Sequence, residues 1–138
     1  MWCLCTSNGY MVHFETYCEA STDLANTDTG EGADVVLGLV NKCSLRSGME
    51  LSFDNSFTCF SVLDELSMLL ISGMGTIREN RTEKALVKLN KNKEKLSRGS
   101  NDYSCTSDKI LNKWKDNKCV SVASSKYDLE PFSKSSRW

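Results

Sequence analysis

Asp54 is the residue whose placement along the sequence is most suggestive of chemistry. It follows Met49-Glu50-Leu51-Ser52-Phe53, where apolar and polar residues alternate, the pattern of a half-buried strand. Asp54 therefore falls at the carboxyl end of that strand, and in open α/β sheets functional groups collect at such ends. Other carboxylates are less well placed. Asp64 and Glu65 read as a helix cap and a surface residue, and Asp23, Asp28 and Glu31 sit in an unpatterned polar stretch. Seven cysteines (3, 5, 18, 43, 59, 105 and 119) are odd in number and irregular in spacing. Cys3-Leu4-Cys5 is not the two-residue spacing of a zinc knuckle, and His13 is the single histidine. Reduced, mostly buried thiols are the expectation, and a Cys–His nucleophile has no marked partner.

The elements that position Asp54 follow from hydrophobic periodicity. Trp2 to Thr6 and Tyr10 to Tyr17 flank Ser7-Asn8-Gly9, a strong hairpin signal. Tyr10, Val12, Phe14 and Thr16 should face one way, with Met11, His13, Glu15 and Tyr17 opposite. Residues 19–32 read as a surface loop. Ala33 to Cys43 carries Val35, Val36, Leu39 and Val40 at helical spacing. A second helix should begin at Ser61, with Asp64 completing a capping box, and present Val62, Leu63, Leu66, Leu69 and Leu70 before ending at Gly73. A strand is expected from Met74 to Arg78. Strand, helix and strand in succession point to α/β layering. Further on, Ile110 to Lys115 and Lys118 to Val122 flank Asp116-Asn117 as another hairpin, and a polar tail follows from Ser124.

Length and charge set the frame. With 138 residues, 40% of them hydrophobic, the chain suits one ordinary domain. It has no apolar run long enough for a transmembrane helix, and no basic start leading into an apolar stretch, so neither a membrane partner nor secretion is expected. The net charge of −1 conceals a division. Residues 1–73 hold two basic and ten acidic side chains, and residues 74–138 hold fifteen and eight, giving −8 against +7. Lys84, Lys88, Lys91, Lys93, Lys95 and Arg98 crowd one stretch. They form either a solvated loop or a surface for phosphates.

Four separated segments carry a resemblance. Phe53-Asp54-Asn55-Ser56-Phe57-Thr58 resembles the Asp-Asn-aromatic-Phe-Thr/Ser motif of piggyBac-type transposases and their domesticated relatives. Gly75-Thr76-Ile77-Arg78-Glu79-Asn80-Arg81 resembles their Gly-Thr-x-Arg-x-Asn-Arg signature. Arg98-Gly99-Ser100 resembles a basic Arg-Gly segment, and Trp114-Lys115-Asp116-Asn117-Lys118-Cys119-Val120 resembles the Trp-x-Asp-x-Lys-x-Val hairpin. Each is weak alone, but all four occur in the family's order. Ser56 departs from the pattern, since an aromatic is usual there.

The resemblance implies a partial RNase H-like transposase core over 1–81, followed by a basic, β-rich inserted module over 82–138. It also implies a site in which three acids hold two divalent ions such as Mg²⁺. Two hard cations about 4 Å apart need several carboxylates to neutralise them. Only the second acid maps here, at Asp54, as catalytic residue and metal ligand. The first is expected on a strand upstream of Met1 and the third downstream of Trp138. The chain alone should then bind no metal stably and be catalytically silent. DNA is the partner implied, through Arg78, Arg81, Lys84, Lys88, Lys91 and Arg98, with a nuclear location. Trp114 reads as a core aromatic, with base stacking the alternative. Competing readings are a domesticated DNA-binding or protein-interaction module, and a nuclease completed by a second copy or a complementing transposase chain. A sheet lacking its first strand should expose an edge and make the protein marginal or aggregation-prone.

Overall fold

The opening hairpin forms as its alternation demands. In the computed structural model, which describes residues 1–16, 29–82 and 97–126, β1 (Trp2–Cys5) pairs antiparallel with β2 (Met11–Glu15). The turn is closed by the Thr6 N–H donating to the Tyr10 carbonyl at 2.8 Å. The two faces separate as expected, but the docked face is the one bearing His13 and Glu15, together with Trp2 and Leu4. Val12 and Phe14 remain about half exposed, at 48% and 49%. An ion pair accompanies this choice: Lys42 Nζ donates to Glu15 Oε2 at 2.8 Å, tying β2 to the end of the first helix.

That hydrogen bond from Lys42 holds the Glu15 carboxyl below its ordinary value of 4.5. A depressed acid contributes stability that is present above the unfolded value and lost as pH falls through the folded one. Acidification below about pH 4.5 should therefore loosen the hairpin before the rest of the chain. Trp2 fluorescence, followed with Trp114 and Trp138 replaced by Phe, should change in that range. Glu15→Gln should abolish the pH-dependent step, and an unchanged profile in that variant would refute the tether.

Helix α1 (Glu31–Lys42) places Glu31 and Asp34 in its first turn and Lys42 in its last, matching the helix dipole. It buries two apolar faces. Ala33, Val36 and Val40 join the main core, while Val35 and Leu39 are buried outside that cluster, toward the hairpin side. Next come β3 (Glu50–Phe53), α2 (Phe60–Met68) and β4 (Ser72–Thr76), and β3 and β4 are parallel. The sheet continues with β5 (Asn101–Cys105), β6 (Ile110–Lys115) and β7 (Cys119–Ser124), in the order β3-β4-β7-β6-β5. β4–β7, β7–β6 and β6–β5 are antiparallel. Strands from both sides of the boundary expected after Arg81 thus share one sheet. β7 carries the second hairpin through Ser124, where the polar tail was expected to start, and β5 was not anticipated. Residues 127–138 lie outside the described residues.

Leu63, Leu66, Val62 and Ile71 are fully buried or nearly so, between α2 and the sheet. The expected apolar face of α2 is corrected at its end, because Leu69 and Leu70 are 51% and 71% exposed. The cause is the helix stop. Leu70 takes a left-handed conformation (φ 56), Leu70 N–H donates to the Ser67 carbonyl, and Ile71 N–H donates to the Leu66 carbonyl, both at 2.9 Å. This is a Schellman motif, and it delivers Ile71 rather than Leu70 to the core. Helix α1 stops the same way through Ser44 (φ 49), with Leu45 N–H donating to the Val40 carbonyl. An exposed leucine with positive φ is strained. Leu70→Gly should therefore stabilise the protein by about 0.5–1 kcal/mol in denaturant unfolding; a loss of stability would contradict the assignment. The expected Ser61–Asp64 capping box does not form. Cys59 is the N-cap, with no side-chain cap bond. Asp64 instead pairs with Lys109, at the start of β6.

Candidate functional site

Asp54 sits where the sequence placed it, one residue past β3, and is exposed. Its loop is a tight, self-bonded turn. Oδ1 accepts from the Ser56 N–H at 2.6 Å, and the backbone carbonyl accepts from the Thr58 hydroxyl at 2.8 Å and from the Phe57 and Thr58 amides. Thr58 is fully buried. One carboxylate oxygen is thus consumed in fixing the loop, and no described residue hydrogen-bonds the other. Sequence reasoning missed the Thr58 anchor. The signal was its position four residues after Asp54, where a hydroxyl reaches back to a turn carbonyl.

Three elements hold the loop from outside. The Gly75 position in β4 lies against it so closely that an added Cβ would stand 2.2 Å from the Phe53 carbonyl oxygen and 2.5 Å from Thr58 Oγ1. Helix α1 meets it at Gly32, where a Cβ would stand 2.4 Å from the Ser56 carbonyl oxygen. Arg81 reaches across from the 3₁₀ turn Glu79–Arg81. Its Nη1 donates to the Ser56 carbonyl at 2.8 Å, with longer contacts of 3.4 Å to those of Asn55 and Thr58. Arg78 donates to Asn55 Oδ1 and Ser56 Oγ, both at 3.3 Å. The segments 53–58 and 75–81, far apart in sequence, therefore interlock as one unit.

The other two motifs interlock as well. Arg98 places Nε and Nη2 on Asp116 Oδ1, each at 2.8 Å. Gly99 N–H donates to the Lys115 carbonyl and Lys115 N–H returns to the Ser100 carbonyl, both at 2.8 Å. The ion pair is largely exposed, so Arg98→Ala should cost under about 1 kcal/mol in a thermal melt. A loss much above that would mean the pair organises the hairpin.

A cleft of about 560 Å³ opens at Asp54, lined among others by Trp2, Gly30, Glu31, Phe57, Arg78 and Arg81. Of the expected nucleic-acid contacts, Arg78 and Arg81 line this cleft, Arg98 precedes β5 and pairs with Asp116 instead, and Lys84, Lys88 and Lys91 lie outside the described residues. Among the described residues, several basic side chains of the second half are engaged in ion pairs. Lys109 pairs with Asp64 and Asp108, Lys126 with Glu50, and the buried Lys113 with Glu79 at 3.2 Å. Asp64 raises the Lys109 ammonium above its usual value. Among the described residues, Lys115 and Lys118 make no ion pair. Trp114 is half-buried on β6, between Asn101 and Val120.

The carboxylates placed among the described residues do not fit a pair of divalent ions. Among the described residues, no three His, Cys, Asp or Glu side chains come together to hold a metal. Also among them, no helix is long and apolar enough to cross a membrane.

A mixed α/β layer ending in a braced aspartate turn, with two helices among the described residues, is the architecture these features define. The family model described as Transposase IS4 matches residues 1–138, and the chain belongs to that family, the piggyBac transposases. It is 30% identical to the human PiggyBac transposable element-derived protein 2 and 29% identical to the human PiggyBac transposable element-derived protein 3, each over 99% of this chain. The chain spans about a quarter (24%) of the length of these relatives. A cryo-EM structure of a piggyBac transposase synaptic complex with hairpin DNA shares the fold, with a TM-score of 0.73 at 22% identity, over 91% of this chain and 26% of that one.

Proposed function

We propose that this chain is the segment of an RNase H-like transposase core that carries the second metal-binding carboxylate, Asp54, and that it does not cleave DNA by itself. The observation carrying this reading is the braced loop. Two arginines and the close approach of Gly32 and Gly75 brace residues 53–58 around Asp54, and the Thr58 hydroxyl holds its carbonyl. One carboxylate cannot neutralise two hard cations, since affinity for them follows the number of charged ligands. The pure chain with Mg²⁺ or Mn²⁺ should leave labelled DNA intact. Metal-dependent cleavage, lost in Asp54→Ala, would reverse the proposal and favour completion of the site by a second copy or a complementing transposase chain.

The same reading includes DNA binding and a nuclear site of action. It is supported by the basic stretch at 84–98 and by the DNA held in the synaptic complex of the related piggyBac transposase. Lys84, Lys88 and Lys91 are the phosphate contacts proposed, with Arg78 at the cleft. Arg81 and Arg98, also expected on DNA, hold internal partners. Each phosphate contact contributes about −0.9 to the slope of log K against log salt. Replacing the three lysines with Ala should flatten that slope by about 2–3, whereas Arg98→Ala should leave it nearly unchanged. No binding at low salt would sink the idea. The pairing of Lys109, Lys113 and Lys126 lowers the free positive charge, and that observation favours the alternative, a protein-interaction module without nuclease activity.

A further inference from the structure

Lys113 occupies a position where the strand pattern calls for an apolar residue. Side chains alternate along β6, so Lys113 shares the face of Leu111, which belongs to the main core. Lys113 is 4% exposed. Its ammonium donates to Glu79 Oε1 at 3.2 Å. Across the ladders it stands opposite Asp102 of β5 and Ser121 of β7. Taking an ammonium out of water is costly, and an apolar side chain of similar volume often serves stability as well. We infer that Lys113 is a positioning residue for Asp54: through Glu79 it pins the 3₁₀ turn from which Arg81 braces the Asp54 loop.

The turn needs such a pin. It is three residues long, Glu79–Arg81, and its N-cap Arg78 makes no side-chain cap bond. Short 3₁₀ segments have poor hydrogen-bond geometry and hold little structure by themselves. Within this one, Arg81 N–H donates to the Arg78 carbonyl at 2.9 Å, and the hydroxyl of the buried Thr82 donates to the Glu79 carbonyl at 2.8 Å. The chain leading into the turn is tied to the same part of the sheet, since Ile77 N–H donates to the carbonyl of Ser121, the residue opposite Lys113. Glu79 and Arg81 then reach to different elements. Glu79 meets β6, and Arg81 Nη1 donates to the Ser56 carbonyl at 2.8 Å. Ser56 N–H in turn donates to Asp54 Oδ1 at 2.6 Å.

A continuous line of bonded groups therefore runs from β6 through the turn to the carboxylate. Its links from Lys113 to Glu79, from Arg81 to Ser56 and from Ser56 to Asp54 each involve an ionised side chain, and such bonds are stronger than neutral ones. The strands β5 to β7 thus do more than widen the sheet. Through Lys113 they fix the place of a loop that lies on the other side of the turn. A lysine buried in this way is also withdrawn from phosphate, unlike the basic side chains proposed for DNA. The inference rests on the proposed function only for the role of Asp54 as a metal-binding carboxylate. The coupling itself is measured without metal or DNA, so the two can fail separately.

The test is amide exchange at Ser56 in the full 138-residue chain, read by NMR together with the carboxyl carbon shift of Asp54. Lys113→Met keeps a long unbranched side chain and removes the ammonium, while Glu79, half exposed, stays hydrated. Ser56 exchange should accelerate about fivefold, an ordinary coupling between residues of one network, and the Asp54 signal should move. Ile71→Val removes core volume at the opposite end of β4 and controls for a general loss of stability. It should leave the Asp54 signal in place and Ser56 exchange within about twofold of the parent. With Arg81→Ala already present, Lys113→Met should add nothing at Ser56, because the connecting side chain is gone. Should Lys113→Met fail to fold, Glu79→Gln removes the same charge pair from the exposed side, and it should give a smaller acceleration with the same dependence on Arg81. Unchanged Ser56 exchange in the folded variants would overturn the inference. Equal acceleration by Ile71→Val would overturn it too, as would effects of Lys113→Met and Arg81→Ala that simply add.

Discussion

Gly75→Ala should be among the most damaging single-methyl changes in this chain, costing about 3 kcal/mol, the upper range for overpacking. At about 4 °C per kcal/mol, that corresponds to a fall of roughly 12 °C in Tm. The added Cβ would stand 2.2 Å from the Phe53 carbonyl oxygen and 2.5 Å from Thr58 Oγ1. The first contact is backbone, so no rotamer change relieves it, and β3 and β4 must move apart along their parallel ladder. The second contact is the hydroxyl that holds the Asp54 carbonyl. The same methyl therefore strains the sheet and releases the loop. Adding Thr58→Ala relieves only the second contact, so the double variant should recover little. Chemical denaturation of the single and double variants measures both. A Gly75→Ala protein within 1 kcal/mol of the parent would mean that the strands do not approach this closely.

That residue also shows what was legible in the sequence and what was not. The ordered motifs identified Gly75, Arg78 and Arg81 as belonging together, and alternation placed Asp54 at a strand end. Both are local patterns, and local patterns report which residues are fixed without reporting what fixes them. Arginine in a basic half of a chain reads as a phosphate ligand. Here Arg81 turns inward to carbonyls 23–26 residues earlier, a contact that only the parallel β3–β4 crossover creates. The opening hairpin and its two faces were legible, but not which face docks. Val12 and Phe14 look like core residues by hydropathy, yet the docked face is chosen by the Glu15–Lys42 pair and by Trp2 and Leu4 opposite. β5 escaped notice because Asn101-Asp102-Tyr103-Ser104-Cys105 is polar. It is an edge strand held by its pairing with β6, and edge strands need little apolar patterning. The stop of α2 at Leu70 was hidden for a related reason. A leucine in the left-handed region breaks the expectation that glycine marks such stops.

Arg81→Ala should be the second large effect, about 1.5–3 kcal/mol, the range for hydrogen bonds to a charged group. The guanidinium is half-buried, and its short bond goes to the Ser56 carbonyl. Removing it leaves three loop carbonyls to find water in a partly closed place. The consequence should extend to Asp54. The Ser56 residue that offers its carbonyl to Arg81 also offers its N–H to Asp54 Oδ1, so loosening one end of that peptide segment frees the carboxylate at the other. Amide exchange at Ser56 should accelerate at least tenfold, a change that a distant loss of stability of similar size would not concentrate there. Arg81→Lys should recover less than half of the loss. An ammonium is a single point donor, whereas the guanidinium presents a planar fork of donors. Gly32 bears on the same carbonyl, so Gly32→Ala combined with Arg81→Ala should not be additive. The two substitutions disturb one peptide group, and residues that share a partner couple. If Arg81→Ala leaves both the melt and Ser56 exchange unchanged, the arginine is not the brace of the Asp54 loop, and its guanidinium is available to a phosphate after all.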